Sequence, residues 1–517
     1  MNQEFDVAQL LAGLPARIDA IPRAVAARTP GAPALAEAGH TVTYRALVDA
    51  VDRHAALLRE LGVRRGDRVL LASENCAAQV ALIFAASTVG AWIVNVNPRL
   101  TAPELDGIAV HSGARIALYT AGVSAEAATH AARAGAQACP GFDGLMAGPR
   151  SDDCMPEADG DDPVAALVYT TGTTGQPKGV MLSHRSLLYV AAVSSRLRGL
   201  VPQDRAWGVL PISHVYGLTS VMLGTLSAGA CLQLAPRFAP QEMLAAIRDE
   251  GLTIVQGVPA MYARLLALPG IAGTRSPLHL PSRLRFAYAG GSPLDPQLKE
   301  RVEALLGTPL HNGYGLTEAA PTVSQTRLDA PRADTAVGLP IPGVEVRLVD
   351  RHGNDLAGDG TPGELWVRGP NLMRGYYREP ALSAAALRPG GWLNTGDMAT
   401  RAADGALSIV GRSKELIIRS GFNVFPLEVE TALNSHPGVT QSAVVGRPCA
   451  DGNEEVVAFV QPAPGEAPAP DELAAWAAAR LAPYKRPARI VALAALPAAP
   501  SGKVLKHVLA KMALELP

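Results

Sequence analysis

Hydrophobic and polar positions follow two different periods along this chain, and the change of period divides it. From Thr43 and Tyr44 onward, Ala-rich segments with helical spacing alternate with short β-rich runs, among them Arg68-Val69-Leu70-Leu71, Ala91-Trp92-Ile93-Val94 and Ile116-Ala117-Leu118-Tyr119. That alternation predicts βαβ units on a largely parallel sheet. The apolar run Val164-Ala165-Ala166-Leu167-Val168-Tyr169 predicts a further buried strand, and residues 139–163, rich in Gly, Pro and Asp, predict an exposed connection before it. A second α/β segment covers roughly 180–310.

After residue 335 the period becomes two: Val344-Glu345-Val346-Arg347-Leu348-Val349 and Glu364-Leu365-Trp366-Val367-Arg368 alternate and are separated by Asp/Gly turns, which predicts a smaller β-rich unit. Beyond Gly411 the pattern predicts a helix over 426–435, strands over 441–446 and 455–461, a Pro-rich loop at 462–470 and an Ala-rich helix over 471–481. A tail of about a hundred residues is large enough to be its own domain. No internal repeat is present. The expected fold class is α/β: a large N-terminal domain, 1–410, of α/β subdomains with parallel-type sheets plus a small β-rich subdomain, and a small α+β C-terminal domain, 416–517.

Composition narrows the function classes. At 517 residues the chain exceeds what one core serves, so several packed units are expected. The balance of 46 Lys+Arg against 47 Asp+Glu provides no basic field for nucleic acid or an anionic membrane and leaves small charged metabolites as the expected partners. Cys76, Cys139, Cys154, Cys231 and Cys449 are far apart and odd in number, matching neither a disulfide framework nor zinc spacing. A cytoplasmic protein, monomer or homodimer, is expected. No basic region followed by an apolar one opens the chain, so no secretory signal is expected. The uncharged stretches Val80 to Val94 and Val215 to Leu232 contain Ser, Thr and Gly and read as buried core elements rather than membrane spans.

The densest chemistry lies in Tyr169-Thr170-Thr171-Gly172-Thr173-Thr174-Gly175-Gln176-Pro177-Lys178-Gly179-Val180. Glycine N–H groups approach an anion closely, threonine hydroxyls donate to its oxygens, and a lysine adds compact positive charge. The loop is not a Walker A motif: Pro177 removes an N–H where that motif needs glycine, and Gly179 stands where its Mg²⁺-binding hydroxyl should follow the lysine. His311-Asn312-Gly313-Tyr314-Gly315-Leu316-Thr317-Glu318 begins like a dinucleotide fingerprint, but a carboxylate at Glu318 would repel a pyrophosphate there. Tyr288-Ala289-Gly290-Gly291-Ser292-Pro293-Leu294 reads locally as a strand-to-helix turn with Ser292 as N-cap and Pro293 at the first helical position.

Together with Pro211-Ile212-Ser213-His214-Val215-Tyr216-Gly217, Trp392-Leu393-Asn394-Thr395-Gly396-Asp397, the junction Gly411-Arg412-Ser413-Lys414 through Gly421-Phe422-Asn423-Val424, and Pro500-Ser501-Gly502-Lys503, these motifs resemble, in order, those of the adenylate-forming superfamily and its acyl-CoA synthetase, AMP-dependent CoA ligase branch. The superfamily includes acyl- and aryl-CoA synthetases, luciferases and peptide-synthetase adenylation domains. The resemblance extends from Thr43 to Lys503.

It implies an AMP-forming acid:CoA ligase using ATP, Mg²⁺ and coenzyme A. Thr170, Thr171, Gly172, Thr173, Thr174, Gly175 and Lys178 would hold the β- and γ-phosphates; Gly290, Gly291, Ser292, Asn312, Gly313, Tyr314 and Gly315 would border adenine, with Tyr314 stacked on it. Thr317 would contact the α-phosphate, Glu318 would help hold Mg²⁺, and His214 would lie near the reacting carboxylate. Asp397 and Arg412 would take the ribose. Lys414 would be the hinge of a mobile C-terminal domain, with 411–415 as the hinge segment. Gly421 would line the coenzyme A channel, and Lys503 would bridge the acid carboxylate and the α-phosphate.

The same resemblance places His214, Tyr216, Ser220, Gly291, Gly313, Gly315, Pro321 and Thr322 in the acyl pocket. None is a fixed charge, so dicarboxylates and amino acids are expected to be rejected, and glycines at 291, 313 and 315 are expected to leave room for an extended apolar tail. The expected substrate is a hydrophobic monocarboxylic acid of medium or long chain. Aryl or cinnamic acids and loading of a carrier protein are the alternatives.

Overall fold

The computed structural model describes residues 6–158, 160–171, 177–271, 282–350, 352–356, 360–419, 422–449, 453–463, 465–498 and 504–516. Contacts divide the chain into two units. The first comprises Met1–Leu294, Leu298–Glu345 and Val367–Leu393; the second comprises Asp295–Gln297, Val346–Trp366 and Asn394–Pro517.

The first unit holds two large sheets. In one, strands Arg68–Ala72, Trp92–Val96, Ile116–Thr120 and Val164–Thr171 form the parallel centre that the alternating pattern predicts, with antiparallel strands Leu145–Ala147 and Pro177–Ser183 on either side. Strands Val164–Thr171 and Pro177–Ser183, which flank the segment expected to hold phosphate, pair antiparallel down to Thr171 opposite Pro177. A Walker loop instead joins a strand to a helix. Ser183 then caps the helix His184–Leu197 by accepting the Ser186 N–H at 3.1 Å, and that helix ends at Arg198 with Gly199 in the left-handed region at φ 56°.

In the other sheet, strands Arg205–Gly208, Cys231–Leu234, Ile254–Gly257, Phe286–Ala289 and Leu310–Gly315 run parallel, and Thr322–Gln325 returns antiparallel beside the last. Helices Pro240–Asp249, Pro259–Leu266 and Pro296–Leu306 cover one face through a core including Trp207, Met243, Ile247, Tyr262, Val302 and Leu306. The uncharged stretches become the helix Ala77–Val89 with the strand Trp92–Val96, and a π-helical Tyr216–Leu223 followed by Cys231–Leu234. Among the described residues no helix is long and apolar enough to cross a membrane.

Two local expectations change. The connection 139–163 is not simply exposed. Cys139 and Cys154 are buried, and the buried arginines Arg115 and Arg68 donate to the carbonyls of Cys154 at 2.7 Å and Met155 at 2.7 Å, while Asp67 ion-pairs with Arg115 at 3.0 Å. Buried guanidiniums need acceptors, and this connection provides them. The helix after Phe286–Ala289 begins at Pro296, not Pro293, so Ser292 is not its N-cap and Gly290–Asp295 remain a loop beyond the strand end.

In the second unit, strands Glu345–Val349, Gly363–Arg368, Trp392–Arg401 and Leu407–Arg412 share a sheet. The tail folds as its pattern predicts, with helix Pro426–Asn434, antiparallel strands Val439–Pro448 and Glu454–Pro462, and helix Pro470–Ala478 around Val429, Leu433, Val456 and Leu473.

Candidate active site

In the first unit, Lys178 stands on the hairpin strand Pro177–Ser183, and its ammonium lies 5.3 Å from the ring centroid of Tyr376. Strand Gly375–Tyr376 reaches that position by pairing antiparallel with the same hairpin, Tyr376 opposite Val180. The Tyr376 hydroxyl donates to Glu318 Oε1 at 2.8 Å; burial, and then the Glu318 charge, push its own pKa far up, so it remains a donor. A phenol therefore stands between the expected phosphate lysine and the expected metal carboxylate. Sequence reasoning missed Tyr376, which lies in a β-like run where an aromatic residue reads as core. Gly172, Thr173, Thr174 and Gly175 lie outside the described residues, and only the backbone of Thr171 is described.

Thr317 and Glu318 occupy a single 3₁₀ turn, Thr317–Ala319, between two strands. The turn is held by Leu316 N–H to the Pro321 carbonyl at 3.0 Å and by Met373 N–H to the Glu318 carbonyl at 2.9 Å. Asn312 is committed within the fold: its Oδ1 accepts the Gly313 N–H at 2.9 Å and its Nδ2 donates to the Thr335 carbonyl at 2.8 Å. Its side chain shapes the strand end that carries Tyr314 and Gly315. Gly291, in the left-handed region at φ 83°, and Ser292 are exposed on the loop past the neighbouring strand, while Gly290 is buried.

The residues expected to line the acyl pocket also lie in this unit. His214 is exposed just before the π-helix, and its Nδ1 accepts the Tyr216 N–H at 3.2 Å, which places the ring proton on Nε2. Gly217 permits the sharp entry, since a Cβ there would overlap the Pro211 carbonyl. Tyr216 meets Tyr288 edge to face at 6.3 Å, and Ser220 approaches Thr322 with their hydroxyls 3.4 Å apart. Pro321 is buried next to Thr322.

Here two expectations are corrected. Gly313 and Gly315 do not open the pocket wall: a Cβ at 313 would overlap the Tyr288 hydroxyl, and one at 315 would overlap the Pro321 carbonyl. These glycines allow close approach, and the volume they vacate is already filled. Nor is the surrounding free of fixed charge. Arg198, 1% exposed, donates Nη1 to Gln256 Oε1 at 2.6 Å and to the Ser220 carbonyl at 3.4 Å, and lies 4.6 Å from the Tyr288 ring centroid. An arginine at a helix C-terminus reads from sequence as a solvated cap, so no signal pointed to it.

In the second unit, Asp397 and Arg412 are register partners on neighbouring strands, and Arg412 Nε lies 3.2 Å from Asp397 Oδ1. Glu364, also missed in the sequence, orders this corner by accepting from Asn394 at 3.0 Å and Ser413 at 3.0 Å. Lys414 is exposed on the turn Ser413–Glu415. Its neighbour Glu415 pairs at 3.0 Å with Lys506, which also reaches Glu430 at 2.8 Å; the two carboxylates outweigh burial and raise the Lys506 ammonium's pKa. Gly421 and Lys503 lie outside the described residues.

Comparison with known proteins identifies the family. The AMP-binding enzyme family matches residues 22–377, and the AMP-binding enzyme C-terminal domain matches residues 428–503. A feruloyl-CoA synthase from Amycolatopsis sp is 37% identical over 92% of this chain and 95% of its own. A 4-coumarate–CoA ligase 2 from Oryza sativa subsp. japonica is 34% identical over 94% of this chain and 91% of its own. The crystal structure of ATP-bound MatB from Rhodopseudomonas palustris superposes with a TM-score of 0.83 at 29% identity, covering 96% of this chain and 99% of that one.

Proposed function

The chain belongs to the AMP-binding enzyme family and is an AMP-forming acid:CoA ligase, and from that premise we propose that the acid it activates is a planar arylalkenoic acid of the cinnamate class. The observation that carries this reading is the Tyr216–Tyr288 edge-to-face pair together with the filled volume at Gly313. An aromatic lining favours a flat ring, and a tyrosine hydroxyl already against the Gly313 backbone removes the depth that a long alkyl tail would need. The two relatives act, by their names, on ferulate and 4-coumarate, which supports the same class.

The reaction uses ATP, Mg²⁺ and coenzyme A. An oxygen of the acid carboxylate attacks the α-phosphorus of ATP and pyrophosphate leaves; the coenzyme A thiolate then attacks the acyl carbonyl and AMP leaves with its bonding electron pair. The proposed roles follow the chemistry of each side chain. Lys178 and the Thr170-to-Gly175 segment hold the β- and γ-phosphates, Thr317 donates to the α-phosphate, and Lys503 neutralises charge as the carboxylate and α-phosphate meet. Asp397 accepts from the ribose hydroxyls, with Arg412 beside it.

Glu318 suits Mg²⁺, because that ion is held by one or two carboxylates plus substrate phosphates and water, and Tyr376 orients this carboxylate. Among the described residues no group of three or more His, Cys, Asp or Glu forms a metal cage. When bound, the ion would offset phosphate charge. For the second step, Lys414 is proposed as the pivot of a C-terminal domain, 416–517, that brings Gly421 toward the thiol.

The test is AMP release by the purified protein with ATP, Mg²⁺ and coenzyme A, comparing cinnamate with octanoate. We expect kcat/KM for cinnamate to exceed that for octanoate by at least about tenfold. The reverse order would restore the fatty-acid reading.

A further inference from the structure

The turn Ser413–Glu415 is held at its two ends by different parts of the second unit. At its first residue, the Ser413 hydroxyl is shared between Glu364 Oε1 at 3.0 Å and the Gly396 carbonyl at 2.9 Å, which ties it to the strands Gly363–Arg368 and Trp392–Arg401. At its last residue, Glu415 Oε2 lies 3.0 Å from the Lys506 ammonium. Lys414 stands between them, exposed.

Lys506 occupies a position that local chemistry does not favour. It is the first residue of the helix Lys506–Glu515, where its charge meets the positive end of the helix dipole. That helix has no acidic residue in its first turn, and Leu505 before it offers no side-chain cap. The compensation comes from distant parts of the chain: Glu415 on the turn, and Glu430 on the helix Pro426–Asn434 at 2.8 Å. Glu430 is itself fixed, since its Oε1 accepts the Val444 N–H at 2.8 Å from the strand Val439–Pro448. The ammonium therefore joins the last residue of the turn to the packed interior of the tail. Beyond Glu415 the next fully buried residue is Ile417, 1% exposed and in the same core as Val429 and Leu433.

We infer that Lys506 is a positioning residue for the thioester-forming step, which acts by fixing Glu415 to the tail and so confines the rotation between the two half-reactions to Lys414. This rests on the pivot reading of Lys414 above. With Ser413 tied to the sheet and Glu415 tied to the tail, the torsions of one residue absorb the rotation, and the tail turns as a single body. Once Lys506 no longer holds Glu415, the chain between Ser413 and Ile417 is longer, and Glu415 and Leu416 share the change. A cation that only supported the fold would leave the location of the pivot unaltered.

The experiment is a double-variant cycle on the full chain. Adenylation is measured as pyrophosphate release, and the second step as thioester formation from cinnamoyl-AMP plus coenzyme A, with octanoyl-AMP in parallel. Lys414→Pro fixes φ at the pivot and should lower the ratio of thioester formation to adenylation. Adding Lys506→Met should raise that ratio again by at least about tenfold, within the coupling range of residues in one network. Glu415→Gln weakens the same link while leaving Lys506 on Glu430, and in the Lys414→Pro background it should act in the same direction. Glu430→Gln leaves Glu415 on Lys506 and should not. Because each ratio is taken within one preparation, a loss of folded fraction cancels.

Double variants as slow as Lys414→Pro in thioester formation, or slower, would overturn the inference and leave Lys506 a support of the fold alone. Equal recovery from Glu430→Gln would also overturn it, because a general loosening of the tail would then explain the effect. A wild-type ratio in Lys414→Pro by itself would refute the pivot reading and this inference with it.

Discussion

The hydroxyl of Tyr376 donates to Glu318 Oε1 at 2.8 Å while the Lys178 ammonium lies 5.3 Å from the centroid of the same ring. One side chain thus links the hairpin that bears Lys178, proposed for phosphate, to the turn that bears Glu318, proposed for Mg²⁺. Tyr376→Phe keeps the ring for Lys178 and removes only the donor. The expected result is a roughly tenfold fall in kcat/KM for MgATP, on the scale of one lost hydrogen bond to a charged group, with a raised Mg²⁺ requirement. Adenylation titrated against free Mg²⁺ measures it, and a wild-type Mg²⁺ profile would show that Glu318 is oriented by other means.

Gly313 tests the filled pocket wall. A Cβ at this position would overlap the Tyr288 hydroxyl and lie 2.7 Å from the Ser324 carbonyl, which belongs to the paired strand and cannot rotate away. Gly313→Ala should therefore destabilise the protein by about 1–3 kcal/mol, the usual range for overpacking, and should impair aryl-acid turnover beyond what lost stability explains. Urea unfolding and steady-state kinetics on the same preparation separate the two effects. A change below about 0.5 kcal/mol would place Tyr288 elsewhere.

The two half-reactions should separate genetically. Lys503→Ala is expected to lower acid-plus-ATP adenylation by about 10²–10³-fold, the scale of one lost transition-state donor, while acyl-AMP plus coenzyme A still yields thioester. Lys414→Pro, which fixes φ near −65° at the proposed pivot, should spare adenylation and slow thioester formation severely. Rapid-quench measurement of each step checks both, and parallel losses in the two steps would refute the assigned roles.

Acid stability should depend on two buried histidines. Burial, reinforced by Arg17, holds the His184 pKa down at about 3, and burial with Lys299 nearby holds His311 at about 4. Both are depressed below the unfolded value near 6.5, so the unfolded chain binds the extra protons. Their neutral forms contribute stability that is complete above about pH 6.5 and is lost as pH falls toward 4 and then 3. Each should add close to one proton of uptake on unfolding near pH 5, a slope of about 1.4 kcal/mol per pH unit. Urea unfolding between pH 4.5 and 6 of His184→Gln and of His311→Asn should each show that slope reduced by about one proton.

The order of motifs, the alternation of helices with β-rich runs and the switch to period two were legible in the chain, because each rests on neighbours within a few residues. The same locality made Thr317 with Glu318, and the candidate pair Asp397 with Arg412, recognisable before any coordinates. Tyr376 and Arg198 were not. Tyr376 acquires its role only when its strand pairs beside Val180 and sets its hydroxyl on Glu318, more than fifty positions away in the chain. Arg198 ends a helix where solvent would ordinarily receive it, and becomes a buried cation only because the strands bearing Gln256 and Tyr288 close over it. Likewise the glycines at 313 and 315 state in sequence only that side chains are absent; whether the vacated volume stays open depends on which distant atoms pack there. Local backbone preference and motif chemistry are encoded along the chain, whereas occupancy of space and the neutralisation of buried charge are properties of the packed tertiary structure.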